Sequence, residues 1–213
     1  MKYKKVGVVD SGLGGELVSQ RLKELYPDVE TVRYVPEEFV SYSNMSLENL
    51  FILSKTHVDY LVSQQVDCII IGCMTLSVNC LNFIKKISPV KVFDLYSNLG
   101  YLDKSFTIIA TENTIKSGKF SQCVEIPCGH LSGMIENKEA VFKRYKDTTE
   151  NYIETYNNTI QSIIRSFIKS ANVEPTTKLI LGCSHYPLEI ENIKVVFGNV
   201  EFIDPISKLL EKM

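Results

Sequence analysis

Two cysteines stand at the positions in this sequence best suited to chemistry. Cys73 follows the run Ile-Ile-Ile-Gly and precedes Met-Thr, and Cys183 follows Leu-Ile-Leu-Gly and precedes Ser-His. Each apolar run is typical of a buried parallel strand, and the hydroxyl residue after it indicates a nearby helix start. A thiol at such a junction is expected to have a lowered pKa, because the helix N-terminus favours the thiolate. The pattern fits an acid–base pair facing one cleft, and it also fits two inert buried cysteines.

Histidine changes its charge near neutral pH, and the chain contains three. His185 lies two residues after Cys183, close enough to tune the thiol or to carry its proton. His57 falls in a helical pattern, which predicts a packing or surface position. His130 follows a Cys-Gly pair and is a weaker candidate for the wall of a cleft. We therefore expect His185 to be the functional histidine.

A glycine-rich loop follows the first apolar run. It reads Asp10-Ser11-Gly12-Leu13-Gly14-Gly15 and precedes a helical pattern. Glycines let a ligand approach backbone N–H groups, and a helix N-terminus favours an anion. The loop lacks the dinucleotide spacing Gly-x-Gly-x-x-Gly and the Gly-Lys-Ser/Thr of a nucleotide-phosphate loop. It better suits a small carboxylate or amine, with Asp10 as a polar partner, although a simple tight turn also fits.

Short β-branched runs alternate with helical patterns along the chain, which predicts an α/β fold with a mostly parallel sheet. Strands are predicted at residues 5–10, 31–35, 67–72, 90–94, 105–111, 122–126 and 178–182. Helices are predicted at 15–26, from an N-cap at Ser46 to about 64, and at 139–170, with a polar turn at 112–119. The inward faces of the last two helices are predicted to carry Leu50, Leu53, His57, Tyr60 and Leu61, and Ile153, Tyr156, Ile160, Ile163, Ile164 and Phe167.

The two halves of the sequence resemble each other, since each contains an apolar strand that ends in Gly-Cys. We predict two similar lobes, residues 1–97 and 98–213, each a mostly parallel sheet flanked by helices. Ligands of open α/β sheets bind at the carboxyl ends of the strands, so the active site is expected in the cleft between the lobes. Asp10 and Cys73 would come from the first lobe, and Cys183 and His185 from the second. Whether the C-terminal residues pack back on the first lobe stays open.

Composition narrows the class of protein. The chain has 213 residues, 45% hydrophobic and 23% charged, as in ordinary globular domains. The net charge of −2 offers no global attraction for nucleic acid or an anionic membrane, so neither is expected as a partner. No apolar run approaches the roughly 20 residues of a membrane span or forms an export signal, so a cytoplasmic location is expected. Six cysteines without a Cys-x-x-Cys pair predict free thiols and no metal site, with Cys68, Cys80 and Cys123 as small buried side chains.

Several segments, in order, carry a resemblance to a known family. They are residues 6–15 (VGVVDSGLGG), 72–75 (GCMT), 111–118 (TENTIKSG), 126–128 (IPC), 134–136 (MIE) and 181–188 (LGCSHYPL). Together they resemble glutamate racemase, a family of the aspartate/glutamate racemase superfamily. The matching segments extend from residue 5 to about residue 190, which is nearly the whole chain.

The resemblance implies an isomerase that needs no cofactor and inverts the α-carbon of glutamate. One cysteine thiolate removes the α-proton and a thiol on the opposite face returns one, which assigns this acid–base pair to Cys73 and Cys183. Asp10 and His185 would assist the thiols. The resemblance also implies a homodimer and a role in supplying D-glutamate for cell-wall precursors. The residues that would bind the amino and carboxylate groups of the substrate are Ser11, Thr75, Thr114 and Ser184.

Three departures from the family pattern bear on the substrate. Met74 stands where the family has a substrate-contacting asparagine, and a thioether donates no hydrogen bond. Ser41-Tyr42-Ser43 replaces Pro-Tyr-Gly in a substrate loop, which makes Tyr42 and Ser43 candidate binding residues with altered backbone freedom. The chain ends at Met213, where the family usually continues with a tail that closes part of the first lobe. The reaction class is expected to survive these changes better than the choice of substrate.

Other functions remain open from the sequence. A related enzyme of the superfamily, such as an aspartate racemase, an isomerase or a decarboxylase, would use the same thiols on another small carboxylate. A binding protein could keep the fold without turnover. A cysteine hydrolase could use Cys183 as nucleophile and His185 as base, although such pairs usually come from separate chain segments.

Overall fold

The structure is a computed structural model that describes residues 2–10, 12–35, 41–144 and 150–213. Among these residues, no helix combines the length and apolar character needed to cross a membrane. Within the same ranges, no group of three or more histidine, cysteine, aspartate or glutamate side chains is arranged to hold a metal ion. All six cysteines are free and buried.

The first half of the described chain forms a four-stranded parallel sheet with the order β2-β1-β3-β4. Its strands are β1 Lys5–Val9, β2 Glu30–Arg33, β3 Cys68–Ile71 and β4 Lys91–Asp94. Its helices are α1 Leu13–Leu25, α2 Leu47–Ser63, α3 Met74–Asn79 and α4 Leu81–Ile87. Helix α2 begins as predicted, because the Ser46 hydroxyl accepts a hydrogen bond from the Asn49 N–H at 3.2 Å.

The second half forms another four-stranded parallel sheet with the equivalent order, β6-β5-β7-β8. Its strands are β5 Phe106–Ala110, β6 Val124–Pro127, β7 Lys178–Gly182 and β8 Glu201–Ile203. Its helices are α5 Glu112–Lys116, α6 Leu131–Arg144, α7 Glu150–Ala171, α8 Ile190–Phe197 and α9 Pro205–Leu210, with a short 3₁₀ helix at Tyr186–Glu189. The α/β fold with two similar lobes is therefore confirmed.

Burial explains why these runs became central strands. The centrally placed β1, β3, β5 and β7 are almost wholly buried, whereas the edge strands β2 and β8 are partly exposed. A parallel strand covered on both faces needs a continuous apolar run, which Cys68–Ile71 supplies. One apolar cluster joins the sheets, since Val8 of β1, Ile108 of β5 and Ile180 of β7 all belong to it.

The C-terminal helix also contacts the first half of the chain. Ile206 and Leu209 of α9 belong to the same apolar cluster as Val18 and Leu22 of α1. Arg21 of α1 forms an ion pair with Asp204, which caps α9 by accepting a hydrogen bond from the N–H of Ile206 at 2.9 Å. The division into lobes 1–97 and 98–213 remains a proposal.

The structure corrects some details of the prediction. The predicted polar turn at 112–119 begins with helix α5, because the N–H groups of Thr114 and Ile115 bond back to the carbonyl of Thr111. The predicted helix at 139–170 corresponds to parts of α6 and α7, and residues 145–149 lie outside the described residues. The predicted inward faces of the helices at 46–64 and 139–170 are too wide. Tyr60 and Ile153 were assigned to them and are exposed, whereas Ile160 is buried as predicted.

Candidate active site

The Cys73 side chain lies between strand β3 and the N-terminus of helix α3. The residue is buried, and the backbone N–H groups of Leu76 and Thr75 are directed at its sulfur, which favours the thiolate. Burial and the nearby Asp10 carboxylate act in the opposite direction and hold the pKa of Cys73 well above its ordinary value. The predicted lowering of this pKa is therefore wrong, and Cys73 is a protonated thiol at neutral pH.

The Cys183 side chain follows strand β7 and has an imidazole partner. Its sulfur lies 3.6 Å from Nδ1 of His185, and Nε2 of the same ring lies 2.8 Å from Oε1 of Glu136 on helix α6. Glu136 also accepts a hydrogen bond from the N–H of Leu13 at 2.5 Å, at the start of α1 in the first half of the chain. The three side chains thus form a line from thiol to imidazole to carboxylate.

The line from Cys183 to Glu136 favours a charged imidazole. Burial alone would lower the pKa of His185, but hydrogen bonds from the ring to Cys183 and Glu136 outweigh it and raise the pKa to about 10. An imidazolium donates to both partners, whereas a neutral ring that donates from Nε2 to Glu136 must accept at Nδ1 from the thiol. With its pKa at about 10, His185 is an imidazolium at neutral pH and places a positive charge 3.6 Å from the Cys183 sulfur.

Asp10 connects the two halves of the chain at this point. Its Oδ2 accepts a hydrogen bond from the Ser184 hydroxyl at 2.9 Å, and its Oδ1 accepts one from the N–H of Gly12 at 3.0 Å. The glycine loop allows this approach, because a Cβ on Gly14 would overlap the Ser184 side chain and one on Gly12 would overlap the Glu136 carboxylate. In this structure the glycines therefore make room for the second lobe.

Three buried threonine hydroxyls form a second polar cluster. Thr75 Oγ1 lies 2.8 Å from Thr111 Oγ1 and 3.1 Å from Thr114 Oγ1, and the last two lie 3.0 Å apart. A hydroxyl both donates and accepts, so the cluster can reorient its protons to suit a carboxylate or an ammonium group. The cluster contains one residue of the Cys73 segment and two residues that follow strand β5.

The loop that holds Tyr42 and Ser43 forms one wall of the site. The Tyr42 hydroxyl is hydrogen-bonded to Nε2 of buried His57 at 2.9 Å, and Ser43 Oγ lies 3.4 Å from Ser132 Oγ. Burial lowers the pKa of His57 to about 4, so this histidine is neutral at neutral pH. Burial, together with the charge of Cys73, also raises the pKa of Tyr42, which keeps its hydroxyl protonated.

These groups surround one small cavity of about 20 Å³ between the two sheets. A cavity of this size admits about one water molecule. Both candidate thiols line it, one from each half of the chain. The complete lining is Ser41, Tyr42, Ser43, Cys73, Thr75, Thr111, Ser132, Cys183, Ser184 and His185.

The structure brings most of the predicted site residues together. Asp10 and Thr114 stand behind the cavity wall and bond to residues that line it. Met74 does not line the cavity, because it is buried in the apolar cluster that also contains Val18. His130 is exposed and is not part of the lining, and Ser11 lies outside the described residues.

Sequence reasoning did not assign a role to Glu136, Thr111 or Ser132. Glu136 lies 49 residues before His185, so no local spacing connects the two. The only signal was its place in the 134–136 segment of the resemblance. Thr111 follows strand β5 as Asp10 follows the equivalent strand β1, and that equivalence could have identified it.

A buried cavity lined by one cysteine from each of two parallel-sheet lobes defines a two-lobed α/β protein with a paired-thiol site. No protein-family model matches the chain. The glutamate racemase of Thermoanaerobacter sp. (strain X514) is 27% identical over 217 residues, covering 98% of this chain and 79% of that protein. The glutamate racemase of Aquifex aeolicus is 28% identical over 214 residues, covering 94% of this chain and 78% of that protein.

A solved structure shows the same fold. The glutamate racemase of Francisella tularensis, solved in complex with D-glutamate, superposes with a TM-score of 0.79 at 22% identity. The superposition covers 98% of this chain and 79% of that chain. The predicted resemblance to glutamate racemase is confirmed, and it extends over nearly the whole chain.

Proposed function

We propose that this protein is a cofactor-independent racemase that interconverts L- and D-glutamate by proton transfer between Cys73, Cys183 and the α-carbon. The observation that carries the proposal is the pair of thiols, one from each sheet, that lines a single buried cavity. Inversion needs a base on one face of the α-carbon and an acid on the other, because a single base tends to return the proton to the face it came from. The curated relatives named glutamate racemase support glutamate as the substrate.

The surroundings of the two thiols suit the two roles. The Cys183 thiolate, beside the His185 imidazolium, removes the α-proton, and the electron pair of the broken C–H bond moves into the carboxylate. The Cys73 thiol then gives its proton to the opposite face of the carbanion. The product leaves with inverted configuration, Cys183 protonated and Cys73 deprotonated. The reverse reaction starts from that second state.

The polar groups around the thiols would hold the substrate. The amino acid has a cationic amino group, which suits the Asp10 carboxylate, and carboxylates that suit hydroxyl donors. Thr75, Thr114 and Ser184 supply such hydroxyls, and each lines the cavity or bonds to a residue that does. Imidazolium His185 adds one positive charge at the wall. The proposal also includes a homodimer, a cytoplasmic location and a supply of D-glutamate for cell-wall precursors, all of which rest on the resemblance.

One geometric observation favours a second candidate function. Cys183, His185 and Glu136 are arranged as nucleophile, base and orienting carboxylate, which is the order found in cysteine hydrolases. Adjacent residues do make the thiol–imidazole contact here, contrary to what sequence spacing indicated. A hydrolase of this kind has no use for Cys73, so Cys73 separates the two candidates.

The test follows the α-proton of the substrate in D₂O without added cofactor. Proton NMR would record loss of the α-proton signal from L- and D-glutamate and from L- and D-aspartate, with enantiomer composition measured in parallel. We expect exchange with inversion for glutamate. We expect Cys73→Ala and Cys183→Ala each to lose about 10³-fold or more, the range of general acid–base catalysis.

A matched control is Cys123→Ala, because Cys123 is a buried cysteine outside the cavity lining. This variant should racemise at the wild-type rate. Folded wild-type protein that exchanges none of the four α-protons would overturn the proposal. Inversion of aspartate instead of glutamate would support the two-thiol mechanism and show that aspartate is the substrate.

A further inference from the structure

Asn113 makes four hydrogen bonds across the cleft through its side-chain Nδ2, its backbone N–H and its carbonyl. Its side-chain Nδ2 donates to the carbonyls of Tyr42 and Met45, both at 2.8 Å, and its backbone N–H donates to the carbonyl of Ser43 at 3.0 Å. Its own carbonyl accepts a hydrogen bond from Asn79 Nδ2 at 3.1 Å. All four partners belong to the first half of the chain, whereas Asn113 lies in helix α5 of the second.

The loop that Asn113 holds is a wall of the active site. Ser41, Tyr42 and Ser43 line the cavity beside Cys73 and Cys183. This loop has neither the proline nor the glycine that the resemblance leads one to expect there, so its backbone is not fixed by residue type. Its position is fixed instead by hydrogen bonds, to His57 on one side and to Asn113 on the other.

The cavity is partly open but is too small to hold the substrate. Its volume of about 20 Å³ admits about one water molecule, and glutamate is several times larger. The walls of the cavity must therefore move apart for glutamate to reach the thiols, and the 42–45 loop against helix α5 is one such wall. The bonds of Asn113 join that loop to α5 and break when this wall opens.

We propose that Asn113 is a positioning residue that latches the 42–45 loop to the second lobe and so holds the cleft closed during proton transfer. The role in turnover rests on the racemase function proposed above, whereas the latch itself does not. Asn113 touches neither thiol and acts through the loop it holds. Loss of two ordinary hydrogen bonds shifts an opening equilibrium by roughly 5- to 30-fold.

The test compares Asn113→Ala and Asn113→Asp by alkylation with iodoacetamide, the modified cysteines being identified by peptide mass spectrometry. We expect Cys73 and Cys183 to react about tenfold faster in both variants, with Cys68 and Cys80 unchanged. Aspartate matches asparagine in shape but cannot donate to the two carbonyls, so Asn113→Asp should open the cleft at least as much as Asn113→Ala. A packing role predicts the opposite order, with Asn113→Asp harmless.

The matched control is Asn98→Ala, which removes an asparagine whose Nδ2 donates only locally, to the carbonyl of Asp94 four residues earlier, at 3.2 Å. It should leave both active-site thiols protected. Unchanged alkylation in Asn113→Asp, or equal acceleration at all six cysteines, would overturn the latch. Kinetics add a second readout, since kcat for glutamate should fall in Asn113→Asp and keep its wild-type value in Asn98→Ala. If the wild type does not racemise glutamate, the proposed function is wrong. The alkylation rates of Cys73 and Cys183 would still test the latch.

Hydrogen exchange of the wild type keeps the latch testable even where a variant does not fold. The amide of Asn113 should exchange by local opening, faster than the amides of β1 and β5. Saturating D-glutamate should slow it at least tenfold if the cleft closes over the ligand. Exchange of Asn113 only by global unfolding, with or without D-glutamate, would contradict the proposal.

Discussion

The two halves of this molecule share a strand order, yet their buried histidines carry opposite charge states. His57 on α2 is buried, has its pKa lowered to about 4 and is neutral. His185, after β7, is as deeply buried, and its pKa is raised to about 10, so it is charged. Burial disfavours the imidazolium in both cases, so burial does not account for the difference.

The partners of each ring account for the difference. His57 Nε2 meets the Tyr42 hydroxyl, which can donate or accept, and within the described residues its buried Nδ1 has no partner. His185 lies between the Cys183 sulfur and the Glu136 carboxylate, and the hydrogen bonds to both raise its pKa. The two thiols also have different neighbours. Cys183 has the His185 ring beside it, whereas Cys73 has the Asp10 carboxylate nearby, so the two thiols lie in different electrostatic surroundings.

The largest effect is expected from removing the charge beside Cys183. His185→Gln deletes the imidazolium and should lower kcat/KM for glutamate by about 10²- to 10³-fold. The loss must be equal for both enantiomers, because the equilibrium constant of a racemisation is one. The asymmetry appears instead in the isotope effect of α-deuterated substrate. It should be large only for the enantiomer whose α-proton Cys183 removes.

The control for this prediction is His130→Gln, which changes an exposed histidine outside the cavity lining. It should leave both the rate and the isotope effects unchanged. Equal isotope effects for the two enantiomers in His185→Gln would mean that both thiols depend on His185, and the division between the lobes would be wrong.

A smaller effect is expected in the pH dependence of stability, where the two histidines should act in opposite directions. The folded pKa of His185, about 10, lies above the ordinary 6.5, so its contribution is full below pH 6.5 and is lost as the pH rises to 10. The folded pKa of His57, about 4, lies below 6.5, so its contribution is full above pH 6.5 and is lost as the pH falls to 4.

Urea unfolding of the wild type, His185→Gln and His57→Gln across this range would measure both trends. The difference in unfolding free energy between wild type and His185→Gln should shrink as the pH rises above 6.5. The difference between wild type and His57→Gln should shrink as the pH falls below 6.5. Trends of the same sign for both variants would show that the two rings share one charge state.

Sequence patterns identified the thiols and the fold because both depend on local features. A continuous apolar run before Gly-Cys is enough to place Cys73 and Cys183 at the ends of central strands, and repetition of the pattern indicates two lobes. The imidazole beside Cys183 was predicted for the same reason, since His185 is two residues away.

The remaining parts of the site depend on contacts between distant segments. Glu136 reaches His185 only because α6 packs beside the end of β7, and no periodicity encodes that contact. The raised pKa of Cys73 was missed because the helix terminus is visible in sequence whereas burial and the charge of Asp10 are not. Met74 follows a candidate catalytic residue, yet the turn of α3 directs it into the core with Val18.

The smallest effect is expected at Tyr42, where the neutral histidine meets the wall of the cleft. Tyr42→Phe removes the hydroxyl that bonds to His57 and should cost about 1 kcal/mol of unfolding free energy. Because that hydroxyl is bonded to α2, kcat/KM should change by less than about tenfold, the equivalent of 1.4 kcal/mol. A double-mutant cycle with His57→Phe, followed by urea unfolding, isolates the pair, and most of the cost should disappear when His57 is already absent. A loss of activity well beyond tenfold, with stability unchanged, would contradict this prediction. It would mean that the Tyr42 hydroxyl bonds to the substrate and not to His57.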